Sequence, residues 1–271
     1  MLLTIRHETL YRYTEPARYS IQQLHLTPRL EDHQRTLSWR IDAPGTRHAF
    51  TDAYGNFGHT LTLTQPHDEV RIVVEGRVEV EAPDRGRILD GGNLSPLLFT
   101  VPTHLTAANE ALREFALRSF RSNPQSRDLL ALAEAVCASV SYTTGSTAVT
   151  STAADALSLG QGVCQDHAHL FLACCHVLGV PARYVSGYID SGSTHRAESH
   201  AWIDAWIEED GFAGWVSVDV THAALQSDSL CRLAVGRDYD SAAPVRGIRR
   251  GGGSESLTVD VSVQAAFLGN Q

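Results

Sequence analysis

From Leu2 to about Val80, apolar and polar residues alternate in short runs separated by turn formers. Leu3 and Ile5, then Leu37, Trp39 and Ile41, then Leu61 and Leu63, then Val70, Ile72 and Val74 fall at every second position. Period two is the pattern of strands with one buried face. It predicts an N-terminal antiparallel β domain over residues 1–85, arranged as a sandwich. Between Glu81 and His104 the alternation lapses into Pro83, Gly86, Gly91, Gly92, Pro96 and Pro102. Such residues interrupt regular structure, and a linker is expected there.

The period then changes. Ala108, Leu112, Phe115 and Ala116 are spaced for one face of a helix over 107–120, and Leu129, Leu132, Val136 and Val140 for another over 127–140. A further helix is expected to start at or near Cys164, with Ala168, Phe171, Leu172, Cys175 and Leu178 as its buried stripe and Gly179 and Pro181 as its stop. Strand-like runs follow at Ala182–Ile189, His200–Glu208 and Trp215–Val220, and Leu257, Val259, Val261 and Val263 alternate after Gly251–Gly253. The glycine run lacks the strand and lysine of a phosphate-binding loop and reads as a mobile loop on the rim of a cleft. The fold class is α+β: the β domain, then a second domain over 86–271 in which helices meet an antiparallel sheet.

Composition narrows the function. With 43% hydrophobic and 20% charged residues the chain is an ordinary globular one. A net charge of −9, from 31 acidic and 22 basic side chains, excludes a general nucleic-acid binder and points to a neutral or cationic substrate. The first residues carry charge where a signal peptide would be apolar, and no run approaches the roughly 20 apolar residues of a membrane span. A cytoplasmic location and no membrane partner are expected. Five cysteines, an odd number without framework spacing, are expected to be thiols.

One of them is placed for chemistry. Cys164 follows Gly162 at a helix start, where unpaired N–H groups and the helix dipole favour a thiolate and can hold an oxyanion. From His200 onward, His200, Trp202, Asp204 and Trp206 share one strand face, and Trp215, Ser217 and Asp219 share a face of the next strand. A hairpin turning near Asp210 brings His200 and Asp219 to neighbouring strands. Cys164, His200 and Asp219 then form a nucleophile, its base and the group that orients the base. Cys137, Cys174, Cys175 and Cys231 read as packing residues. Tyr184, Tyr188, Trp202 and Trp206 are candidates for a substrate groove, with Trp202, two residues from His200, assigned to substrate binding. His167 and His169 suggest zinc, but they stand two positions apart on a helix and complete no four-ligand set, so no metal or cofactor is expected.

At these residues the chain resembles the transglutaminase-like superfamily, specifically bacterial proteins with an N-terminal β domain and a papain-like core. The resemblance rests on Gly162 to His169, Gly179 to Tyr188, Ser199 to Trp202, Gly214 to Asp219, Gly236 to Tyr239 and Ala243 to Gly247, with Leu26 to Arg29 and Asp52 to Asn56 in the first domain. It implies the same roles for Cys164, His200 and Asp219, and a thioester-forming enzyme acting on peptide or carboxamide bonds of a peptide or protein. Hydrolysis is the favoured outcome; the alternatives are an amine-accepting transglutaminase or ligase, or an idle binding module. One departure stands out: the family pattern continues with proline, threonine and asparagine, where this chain has Val220, Thr221 and His222.

Overall fold

The computed structural model describes residues 1–89, 92, 94–190, 192 and 199–266. The chain opens with strands β1 (Leu2–Leu24), β2 (Gln34–Asp42), β3 (Thr46–Thr51), β4 (Phe57–Leu63) and β5 (His67–Val80). Short β6 (Arg87–Ile88) precedes helices α1 (Glu110–Ser119) and α2 (Ser126–Ser139), then β7 (Ser141–Tyr142), α3 (Ala153–Leu159), β8 (Gln161–Gly162) and α4 (Cys164–Val177). Strands β9 (Ala182–Ile189), β10 (Ser199–Glu209), β11 (Phe212–Asp219), β12 (Ala224–Leu225) and β13 (Leu230–Gly236) follow, and α5 (Tyr239–Ala242) leads to β14 (Val245–Gly251) and β15 (Glu255–Ala266).

The N-terminal strands form one seven-stranded sheet rather than two separate ones, ordered β2-β5-β1-β4-β3, with β14 and β15 also on β1. Strand β1 serves both halves: Leu2–Tyr13 pairs with β15, Ala17–Leu24 with β14. The sandwich expected from the alternation is this single sheet curled over a shared core, in which Leu61 and Leu63 of β4 meet Val70, Ile72 and Val74 of β5. The last two strands correct the expected division at 85/86. Residues 245–266 lie in the first sheet, because a 23-residue strand needs partners for its backbone on both edges.

The second sheet is six-stranded, β12-β11-β10-β9-β13, with β6 added to β11. The expected linker therefore contributes a strand to the core. On one face Ala201, Ile203, Ala205, Ile207, Val216 and Val218 pack with α4. Helices α1, α2 and α3 also pack against α4. That enclosure buries every residue from Gln165 to Cys175, not one stripe as the spacing suggested. Gly179, at φ +69, ends this segment in the left-handed region.

The two sheets share a core as well. Leu3, Ile5, Val78 and Val80 pack with Tyr188, Cys231 and Leu233. Asn56 exchanges two hydrogen bonds with the Val235 backbone, at 2.7 and 2.8 Å. Gln34 does the same with Arg232, at 3.0 and 2.7 Å. Gly251–Gly253 is not a rim loop: Glu15 N–H donates to Gly252 O and Ser254 N–H to Thr14 Oγ1, so β1 ties the turn down. Among the described residues no helix is long and apolar enough to cross a membrane.

Candidate active site

Cys164 is the first residue of α4, and Asp166 fixes where that helix starts. Asp166 Oδ2 accepts from Val163 N–H at 2.8 Å and from Thr147 Oγ1 at 2.7 Å. A Cβ at Gly162 would come within 2.7 Å of the Asp166 side chain, which is why glycine precedes the turn. The first N–H groups of a helix have no carbonyl of their own. Those of Cys164 and Gln165 meet no acceptor among the described residues, and both residues line one cleft.

His200, the second residue of β10, lines the same cleft. The β10–β11 ladder sets Ile203 opposite Val218. One step further, Asp219 stands across from Trp202 and diagonal to His200, one residue from the expected register. His200 Nε2 lies 3.0 Å from Asp219 Oδ2, with both side chains nearly buried. The N–H is not aligned on that oxygen, so the contact is an ion pair more than a hydrogen bond. Burial pulls the His200 pKa down, but the Asp219 carboxylate and the Cys164 sulfur outweigh it and push the pKa up to about 10. Burial likewise raises Asp219, and the two histidines beside it more than reverse this, holding the carboxyl well below the usual range. An imidazolium flanked by sulfur and carboxylate is therefore the form that the site favours at neutral pH.

The other cysteines stand apart from this arrangement. Burial raises Cys174 to about 12 and pushes Cys175 and Cys231 up as well. The Cys137 thiol, also raised by burial, donates to Val220 O at 3.0 Å. Only Cys164, of the five, lines the cleft.

Trp202, the expected substrate-binding residue, is not among the residues that line the cleft. It is fully buried, stacked on the His200 ring at 6.0 Å between centroids, and packed with Val185, Leu230 and Val235. It shares a face with His200 but lies one step deeper in the sheet, so it supports the imidazole from behind. Of the four aromatic candidates, Tyr184 alone lines the cleft. Tyr188 is buried against His7, and Trp206 packs on Trp215.

His222 was missed. Its Nδ1 lies 2.7 Å from Asp219 Oδ2 and its backbone N–H 3.3 Å from Oδ1, with a half-exposed ring 5.6 Å from that of His200. Its signal in the sequence is the departure from the family pattern after Asp219. His167 braces the same turn: its Nδ1 lies 3.2 Å from Thr221 Oγ1, while Nε2 donates to Val140 O at 2.9 Å. His169 Nε2 accepts from Tyr239 N–H at 3.1 Å. Among the described residues, His167 and His169 join no group of metal-ligating side chains, and those that converge are His200, Asp219 and His222, whose ligand atoms lie within 4.8 Å of one another.

Residues 3–79 match the bacterial transglutaminase-like N-terminal region, and residues 115–220 match the transglutaminase-like superfamily. An uncharacterized protein of Mycobacterium leprae is 32% identical over 277 residues, covering 96% of this chain and 98% of its own. One from Mycobacterium tuberculosis is 30% identical over 285 residues, covering 96% and 90%. A crystal structure from Cytophaga hutchinsonii, provisionally named a cysteine protease, shares the fold with a TM-score of 0.77 at 23% identity, covering 98% of this chain and 92% of that one. The two matched regions include His7, Thr9 and Tyr11 on one side of the cleft and Cys164 and His200 on the other, and the chain belongs to the transglutaminase-like superfamily of cysteine-based enzymes.

Proposed function

We propose that this chain is a cysteine-dependent acyl-transfer enzyme that cleaves peptide or carboxamide bonds through a thioester, with water as the acceptor. The observation that carries this reading is the meeting, in one cleft, of Cys164 at a helix N-terminus with an imidazole that Asp219 holds charged. The Cys164 sulfur attacks the carbonyl carbon, and the electron pair moves to oxygen. The N–H groups of Cys164 and Gln165 are the donors available to that oxyanion; one such donor commonly contributes about 3–4 kcal/mol. His200 then gives its proton to the departing amine as the C–N bond breaks, leaving a thioester. The neutral imidazole next takes a proton from water, which attacks the thioester and releases the acid and the thiolate.

Iodoacetamide alkylation, read cysteine by cysteine by peptide mass spectrometry, tests the nucleophile first. Cys164 is expected to label fastest of the five, and His200→Ala to slow it. A Cys164 that reacts no faster than the buried thiols removes the proposal. Peptide profiling with mass detection, with and without added primary amine, then separates hydrolysis from amine transfer: free acid as the main product in both supports the reading, and amide product displaces it.

A further inference from the structure

The cleft is built by both sheets. Opposite Cys164 and His200, β1 contributes His7, Thr9 and Tyr11 and β15 contributes Leu257 and Val259. The β1–β15 register pairs Tyr11 with Leu257 and Thr9 with Val259, so these four stand on one face, looking into a cavity of about 280 Å³. That volume lies at the low end for ligand pockets and suits a single residue rather than a long segment. Leu257 and Val259 are about half exposed, an apolar pair left uncovered beside the nucleophile. Tyr142, Tyr184 and Tyr239 contribute further to the lining.

Charge is what this wall lacks. Among the described residues the lining contains no Asp, Glu, Lys or Arg. His7 is neutral: burial lowers it to about 4, and its two ring nitrogens are engaged by Tyr188 OH at 2.7 Å and Thr9 Oγ1 at 2.8 Å. Among the described lining residues His200 is the one that carries a charge at neutral pH. A charged side chain entering here sheds water and meets no carboxylate, ammonium or guanidinium among those residues, which is costly.

We infer that the cleft selects acyl donors whose side chain beside the reacting carbonyl is uncharged and apolar, and that Leu257 and Val259 of the C-terminal strand form the selecting wall. This deepens the proposed function and rests on Cys164 being the nucleophile. It also narrows the expectation from net charge, since a cationic side chain is disfavoured at this position whatever the charge of the whole molecule.

The test uses the full chain and peptidyl acyloxymethyl ketones that differ only in the side chain next to the reactive carbonyl: leucine, glutamine, aspartate and lysine. Labelling rates at Cys164 are divided by the iodoacetamide rate of the same protein. The leucine probe is expected to lead the glutamine probe, and to exceed the aspartate and lysine probes by about 100-fold, the scale of discrimination a hydrophobic pocket reaches. Val259→Lys is expected to raise the aspartate-to-leucine ratio about 10-fold while leaving lysine disfavoured. Leu257→Lys, on the same face, is the second variant. Equal rates for all four probes, a faster glutamine probe, or an aspartate ratio unmoved by both variants overturns the inference while the nucleophile stands. If neither iodoacetamide nor any probe labels Cys164, the proposed function and this inference fall together.

Discussion

Asp219 Oδ2 is shared by two rings, and this sets what each histidine should do. His222 holds the carboxylate from the solvent side at 2.7 Å, in a position where the family pattern has asparagine. Removing it takes away one hydrogen bond worth about 1 kcal/mol. His222→Ala is therefore expected to slow Cys164 alkylation about five-fold, less than His200→Ala does, and His222→Asn, which keeps a side-chain donor, to recover most of the loss. Rates in the three variants check this, and a His222→Ala rate equal to wild type removes His222 from the site. The charge on His200 makes a second prediction. A group whose folded pKa is raised stabilises the fold fully below its unfolded value, near about 6.5, and that contribution is lost as pH rises through the folded value. With His200 at about 10, the stability gap between wild type and His200→Ala should be widest below pH 6.5 and shrink steadily toward pH 10. Urea midpoints across that range read it directly; a gap that does not change with pH means a neutral imidazole. At this scale the sequence was informative where chemistry is tied to residue type, as for Cys164, His200 and Asp219. For His222 it marked only a departure from the family pattern, because nothing in a histidine three residues past a strand end says which way its ring turns.

At the level of elements, the start of α4 hangs on one carboxylate. Asp166 accepts from Val163 and Thr147 at once, and Val163 itself offers no side-chain cap. Asp166→Ala should cost about 1–2 kcal/mol, in the range of a lost helix cap, and should also slow Cys164 alkylation, because the first turn carries the nucleophile. Denaturation and labelling on the same variant test both; a stability loss with unchanged labelling would detach the cap from the chemistry. For the core elements that the pattern predicted, the limits were legible to within about three residues, since the stop at Gly179 and the turn at Asp210–Gly211 are set by local backbone preference, whereas α3 and β13 were not read from it. Strand β1 was not. Alternation identified only its first residues, because the pairing shifts between Arg12 and Ala17 and again between Ala17 and Tyr19, where the strand passes from one set of partners to another and its inward face changes. The period was broken at the point that makes the sheet curl.

The whole molecule is tied together by groups that look unpromising in sequence. Asp204, on the same strand face as His200, is fully buried between Arg183 and Arg232; Arg232 grips both carboxylate oxygens, at 3.0 and 2.6 Å. Burial alone would raise the acid, and the two guanidiniums instead hold it far below the usual carboxylate range. Asp204→Ala takes the buried carboxylate from both guanidiniums, Arg232 keeping Glu31 at 3.4 Å, and should cost about 3–5 kcal/mol, measured by denaturant titration; a loss under about 1 kcal/mol would mean that the remaining partners and water take over the pairing. Arg232 is also the point where Gln34 docks, and Asn56 grips Val235 three residues on. The motifs of the N-terminal region are thus contacts to the catalytic core, which a reading of the first domain by itself could not reveal. The same wiring decides whether residues 1–85 can fold alone. That segment lacks β14 and β15, leaving one edge of β1 unpaired along nearly its whole length, and it exposes Leu3, Ile5, Val78 and Val80, which the core covers with Tyr188, Cys231 and Leu233. An unpaired edge and an open apolar face both favour association over folding. Residues 1–85 expressed alone should therefore show no cooperative thermal transition and should aggregate, while the full chain unfolds with both sheets in one step. A monomeric fragment with a sharp transition would show instead that the sheet is self-sufficient, and that the C-terminal strands are present for the cleft rather than for the fold.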